Sequence, residues 1–122
     1  MKNFYTIDIK SYNDERGCLT PFEYEHNCPF KIKRAFVLKN IPNENVIRGN
    51  HINTISKNLI IALNGKVTID CEKDGVSKNF VLDKDSKALF IDNGVYRKLR
   101  DFSKDAILLC LSDTEFNKEE FV

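Results

Sequence analysis

The sequence predicts an all-β sandwich or barrel, on three observations. Turn signals recur at strand spacing, at Asp14-Glu15-Arg16-Gly17, Pro42-Asn43, Asn64-Gly65, Asp74-Gly75 and Asn93-Gly94. The segments between them are short and rich in β-branched and aromatic residues. No long amphipathic helical stripe appears anywhere. With 122 residues, 42% of them hydrophobic and 30% charged, the chain suits one ordinary globular domain, 1–122.

Taken in order, strands are expected near 4–9, 18–25, 31–38, 47–53, 58–63, 66–72, 77–82, 87–91 and 106–112. Asn64-Gly65 reads as a hairpin, because a type I′ turn needs positive φ at both central residues. Leu59-Ile60-Ile61-Ala62-Leu63 and Ile107-Leu108-Leu109-Cys110-Leu111 are apolar at successive positions. They are expected to be central strands or part of a subunit contact. The tail 113–122 is expected to start a short helix capped by Thr114.

Composition narrows the function classes. The net charge is +1, from 19 basic and 18 acidic residues. Such a balance provides no basic field for a nucleic-acid backbone, so an anionic ligand would need a few placed arginines. No apolar run approaches the roughly 20 residues of a membrane span, and Met1 to Lys10 does not read as an export signal. A cytoplasmic location is expected, with no membrane or nucleic-acid partner. The cysteines, Cys18, Cys28, Cys71 and Cys110, form no C-x-x-C pair. Reduced thiols are expected, with Cys71 and Cys110 as small hydrophobes. The two histidines, His26 and His51, cannot make a three-imidazole site, and no His/Glu cluster has ligand spacing. Neither a metal nor another cofactor is expected.

Three polar clusters can carry chemistry. Along 30–38, alternation puts Phe30, Ile32, Arg34, Phe36 and Leu38 on one face. Arg34 is then a charge on an apolar face, either a structural ion pair or an arginine projecting into a barrel that holds a polar ligand. In Arg48-Gly49-Asn50-His51-Ile52-Asn53, His51 and Asn53 are two apart and share a side. They can offer a base and an amide to one substrate, or be an exposed polar edge. Gly49 leaves room for close approach of a ligand or backbone. In Asn93-Gly94-Val95-Tyr96-Arg97-Lys98, Tyr96 could donate a proton and Arg97 grip a phosphate. The other reading is a hairpin with snorkelling side chains.

An ordered set of short motifs then adds a resemblance. It runs Arg16-Gly17 with Leu19, Pro29-Phe30-Lys31-Ile32-Lys33-Arg34, Arg48-Gly49-x-His51, Leu63-Asn64-Gly65, Gly94-Val95-Tyr96 and Leu108-Leu109-Cys110-Leu111-Ser112. Together these resemble the cupin-fold sugar 3,4-ketoisomerases, the WxcM-like enzymes acting on dTDP-4-keto-6-deoxyglucose. The resemblance implies a small cupin jelly roll (a double-stranded β-helix), a homodimer, and a metal-independent isomerisation. The product would be a dTDP-3-keto-6-deoxyhexose, made on the way to deoxyamino sugars of surface polysaccharides. It also implies His51, Asn53 and Tyr96 as catalytic positions, and Arg16, Arg34, Arg48, Asn58 and Arg97 as substrate-binding ones. Where the family pattern has a second His and a Lys, this chain has Asn53 and Thr54. Asn58 stands near a usual Gln, and Tyr96 replaces a usual Trp. Asparagine carries no proton, so two other outcomes stay open: an epimerase-like variant, and a non-catalytic nucleotide-sugar-binding cupin.

Overall fold

The computed structural model describes residues 2–122. It contains the strands β1 (Phe4–Ile7), β2 (Tyr12–Asp14), β3 (Gly17–Leu19), β4 (Arg34–Leu38), β5 (Arg48–Ile52) and β6 (Asn58–Asn64), then β7 (Lys66–Lys73), β8 (Val76–Asp83), β9 (Ala88–Ile91), β10 (Tyr96–Arg100) and β11 (Ile107–Ser112). One sheet has the order β1-β9-β6-β11-β4, a second has β5-β10-β7-β8, and β2-β3 stand apart as a hairpin. Every strand pairing is antiparallel. This is the all-β jelly-roll architecture that the sequence and its resemblance implied.

The two large sheets pack face to face. Ile60 and Ala62 of β6, Leu89 and Ile91 of β9, and Leu108 and Cys110 of β11 meet Val67, Ile69 and Cys71 of β7, Leu82 of β8 and Leu99 of β10. A second cluster lies on the other face of the larger sheet. There Leu59, Ile61, Phe90 and Leu111 are covered by Cys28 and Phe30, with Tyr5 and Phe22 at the margin. β6 and β11 are therefore interior strands with apolar contacts on both faces. That accounts for their unbroken apolar runs, which resolve to central strands.

Several expectations are corrected. β6 and β7 do not pair with each other, so Asn64-Gly65 is no hairpin. It is a corner at which the chain leaves one sheet for the other. A tight corner and a hairpin share the need for a left-handed residue, and Gly65 meets it with φ +64. Asp74-Gly75, by contrast, does close a two-residue hairpin, with φ 53 and 78, between the paired residues Lys73 and Val76. The strand expected over 18–25 ends at Leu19. Pro21 follows, and Asn27 organises a turn, donating to Pro21 O at 2.8 Å and accepting from Glu23 N at 2.9 Å. The strand expected from 31 begins at Arg34. Phe30 turns instead into the cluster outside the larger sheet. β2 and β10 were not expected as strands.

The tail holds a single 3₁₀ turn, Lys118–Glu120, capped by Asn117 and not by Thr114. Beyond it the chain runs as an extra strand beside the end of β5. Ile52 N donates to Val122 O at 2.7 Å and Val122 N returns to Ile52 O at 3.0 Å. Asn53 faces Phe121 in the same ladder.

Candidate active site

β4 and β5 are edge strands, one in each large sheet. Between them lies a cavity of about 240 Å³. Its walls come from β4 (Arg34, Phe36, Leu38), β5 (Arg48, Gly49, His51), β6 (Asn58, Ile60), β10 (Arg97, Leu99), Cys110 of β11 and the tail.

Simple alternation would put Arg48 and His51 on opposite faces of β5, yet both line the cavity. A β-bulge is the cause. His51 pairs with Arg97 and Gly49 with Lys98, so Asn50 is the extra residue. Gly49 and Asn50 have φ +71 and +60. A Cβ on Gly49 would lie 3.1 Å from Arg97 O, so the close approach expected there is to a neighbouring backbone.

His51 is half-buried, and its ring lies 4.7 Å from that of Phe121. Nδ1 is buried with no hydrogen-bond partner, as is Oδ1 of the neighbouring cavity residue Asn53. Burial, and then the Arg97 guanidinium, push the imidazole below its usual pKa of 6.5. His51 is therefore a neutral imidazole at neutral pH. The sign for stability follows directly. Below pH 6.5 the unfolded chain takes up this proton before the folded one does, so His51 costs stability as pH falls from 6.5 toward its folded pKa. We expect the ring Cε1–H resonance of His51 to titrate with a midpoint below 6.5. A midpoint at or above that value would contradict the desolvated environment.

A buried polar chain runs under the imidazole. Arg97, 4% exposed, donates to Asn58 Oδ1 at 2.8 Å, to Val95 O at 3.1 Å and to Asp92 O at 3.4 Å. Asn58 Oδ1 also accepts from Asn53 Nδ2 at 3.2 Å, and the same nitrogen reaches Ser56 Oγ at 3.1 Å. Ser56 Oγ in turn donates to Glu120 Oε1 at 2.8 Å. Burial lowers the pKa of Arg97 to about 10, which leaves it cationic at neutral pH. Its hydrogen bonds go to neutral oxygens, so it serves as floor and field to the site. The phosphate-gripping position expected for it is not what this geometry provides.

Two other arginines are free for an anion. The Arg34 guanidinium lies over Phe36 at 4.4 Å and Phe116 at 5.0 Å. Among the described residues neither Arg34 nor Arg48 has a carboxylate within ion-pair distance. Arg34 lines the cavity, and among the described residues the structural ion pair of its other reading is not formed.

Two expected site residues stay outside the cavity. Alternation along β10 sends Arg97 and Leu99 inward and Tyr96 and Lys98 outward. Tyr96 therefore lies on the outer face, where its hydroxyl donates to Asn50 Oδ1. Arg16 sits on the β2–β3 hairpin with its side chain 83% exposed, paired with Asp14 at 2.6 Å. Conversely, Ser56, Phe116, Glu120 and Phe121 line the cavity without having been expected there. Phe36 and Leu38 were legible as sharing the face of Arg34, but nothing local marks the tail residues.

Comparison with known proteins finds relatives along nearly the whole chain. The family model described as WxcM-like, C-terminal (FdtA) matches residues 2–122. A TDP-4-oxo-6-deoxy-α-D-glucose-3,4-oxoisomerase of Aneurinibacillus thermoaerophilus is 25% identical over 116 residues, covering 95% of this chain and 83% of its own. The structure of WlaRA, a TDP-fucose-3,4-ketoisomerase from Campylobacter jejuni, matches with TM-score 0.93 at 32% identity, over 99% of this chain and 89% of that one. The 3,4-ketoisomerase QdtA from Thermoanaerobacterium thermosaccharolyticum, in a His-to-Asn variant complexed with TDP-4-keto-6-deoxyglucose, matches with TM-score 0.91 at 28% identity, over 100% and 88% of the two chains. A match along essentially the whole chain, on a shared fold, places this protein in the WxcM-like, C-terminal family.

Proposed function

We propose that the chain is an isomerase that moves the ketone of a dTDP-linked 4-keto-6-deoxyhexose from C4 to C3, with His51 as the base. The observation that carries this is the neutral, half-buried His51 imidazole on the wall of a cavity that also presents unpaired Arg34 and Arg48. A C4 ketone acidifies the proton on C3. His51 takes that proton, the C3–H electrons form a C3=C4 bond, and O4 becomes an enediolate oxygen. Return of the proton to C4, with loss of the O3 proton, leaves the ketone at C3. Oxygen-bound negative charge develops within reach of a cationic wall, which favours the enediolate over the ketone.

The diphosphate is assigned to Arg34 and Arg48, whose guanidinium groups have no internal anion to satisfy. Asn53 and Asn58 act as support for Arg97 and the loop after β5. Arg16 and Tyr96 are not part of this proposal, because neither faces the cavity. The same reading takes 1–122 as one catalytic domain, working in the cytoplasm as a homodimer in deoxyamino-sugar biosynthesis. Exposed Val37 on edge strand β4, with Leu19 and Ile47, offers apolar surface that a second copy would cover. Light scattering reads the dimer directly.

The activity is tested by incubating the protein with dTDP-4-keto-6-deoxyglucose in deuterated water and following the sugar by NMR. Ketone migration with deuterium at C4 is the expected result. Exchange at a carbon beside the ketone without migration would show the epimerase-like variant. Binding of dTDP with neither exchange nor migration would show a binding cupin. Replacing Arg34 or Arg48 by Ala is expected to weaken dTDP-sugar binding by about 10- to 100-fold, the range for loss of a hydrogen bond to a charged group. Calorimetry at two salt concentrations checks this, and unchanged affinity would remove the diphosphate assignment.

A further inference from the structure

Ketone migration needs two proton transfers. One moves hydrogen from C3 to C4, and the other moves it from O3 to O4. His51 can make the first. Asn53, its neighbour on the same wall, cannot make the second, because an amide neither takes nor gives a proton near neutral pH.

Among the described residues, the cavity holds one carboxylate, that of Glu120. Glu120 is 4% exposed and comes from the C-terminal 3₁₀ turn. Its Oε1 accepts from Ser56 N at 2.8 Å, Ser56 Oγ at 2.8 Å and Ile55 N at 3.2 Å. Among the described residues no donor reaches Oε2. That oxygen is also absent from the buried, unpartnered polar atoms, which are His51 Nδ1 and Asn53 Oδ1. With Oε1 tied to the loop and the residue lining the cavity, Oε2 is the oxygen left to face a ligand. The remaining ionisable groups on the wall are unsuited. A guanidinium is no proton carrier in proteins, and burial pushes the Cys110 thiol up to about 12.

We propose that Glu120 is the second catalytic group, carrying the hydroxyl proton from O3 to O4 while His51 carries the carbon-bound proton from C3 to C4. This rests on the ketoisomerase reading above. The step balances. Glu120 takes the O3 proton as the O3–H electrons form the C3=O3 bond, and C4 takes its proton from the His51 imidazolium. O4 receives the proton from Glu120, and both side chains end as they began. The three donors on Oε1 hold the carboxylate in place without occupying the working oxygen.

Glu120→Gln tests it, because glutamine keeps an oxygen acceptor for all three loop donors but cannot carry a proton. The readouts are ketone migration and hydrogen exchange at C3, measured together by NMR in deuterated water. Migration is expected to fall about 100-fold. Exchange at C3 should stay within a few-fold of the parent protein, because His51 still forms the enediolate and returns deuterium to C3. Glu120→Asp shortens the arm but keeps the carrier, and is expected to migrate the ketone faster than Glu120→Gln. A purely structural role predicts the reverse order, since glutamine preserves the tether better than aspartate. Equal loss of exchange and migration in Glu120→Gln, or that reverse order, would overturn the assignment. So would migration at the parent rate. If Glu120→Gln does not fold, Glu120→Asp must itself lose migration more than exchange, or the assignment falls. A parent protein that neither exchanges nor migrates overturns the ketoisomerase reading itself, and this assignment with it.

Discussion

His51→Asn is expected to lower ketone migration by about 10²- to 10⁴-fold, the range spanned by loss of a positioned general base. Deuterium exchange at C3 should be lost in parallel, which separates this variant from those at Glu120. Asparagine fills less of the wall and gives up the ring contact with Phe121 at 4.7 Å. It leaves the buried Arg97–Asn58–Asn53 hydrogen bonds untouched, since none of them ends on His51. The fold and the affinity for dTDP should therefore survive. NMR in deuterated water reads the chemistry, and calorimetry with dTDP reads binding. A variant that isomerises within a few-fold of the parent would show that the base lies elsewhere. Within the cavity the other carboxylate or imidazole available is Glu120, so the two sets of variants constrain each other.

The largest effect on stability is expected at Gly65, which does not line the cavity. Gly65→Ala places a Cβ 2.3 Å from Ser103 Oγ, 2.7 Å from Asp105 Oδ1 and 2.8 Å from Ala106 Cα, at φ +64. The left-handed backbone alone costs an alanine about 1 kcal/mol. The clash with Ala106 is against backbone and cannot be relieved by a rotamer change, which adds about 1–3 kcal/mol. Ser103 cannot move freely either. Its hydroxyl accepts from Lys66 N at 2.8 Å and donates to Asp105 Oδ1 at 2.8 Å, which closes the corner. A loss of about 3 kcal/mol is expected, or a fall in Tm of about 10 °C for a chain of this size. Gly75→Ala is the internal comparison. It has φ +78 but nothing within 4 Å of the added Cβ, so only the backbone cost of about 1 kcal/mol applies. Urea unfolding of the two variants decides the matter. Equal midpoints would mean that the corner around Gly65 is looser than its geometry shows.

The contrast between these glycines also marks a limit of local reading. Asn64-Gly65 and Asp74-Gly75 look alike in sequence, each a turn dipeptide between apolar strands. One closes a hairpin and the other carries the chain between sheets. The difference lies in what β6 and β7 pair with, and those partners are distant: β6 with β11 and β9, β7 with β10 and β8. The run Tyr96–Arg100 carries no strand signal in its sequence for a similar reason. It is polar in sequence because one face reaches the surface, while Arg97 and Leu99 on the other face are buried.

The part of the molecule legible from local pattern is the part governed by period two. Short β-branched segments between turn dipeptides made the chain all-β. Alternation put Arg34 with Phe36 and Leu38, and His51 with Asn53, on shared faces, and both groups line the cavity. The ordered motifs pointed to the family. Which residues join them is settled by the folded chain. An inserted residue at Asn50 turns Arg48 to the side of His51, against the alternation. The register of β10 sends Arg97 in and Tyr96 out. The tail crosses 64 positions of sequence to set Glu120 on the Ser56 loop. The physical reason is common to all three. Side-chain alternation follows from the geometry of a single strand, whereas bulges, register and the docking of a tail are set by hydrogen bonds between segments remote in sequence.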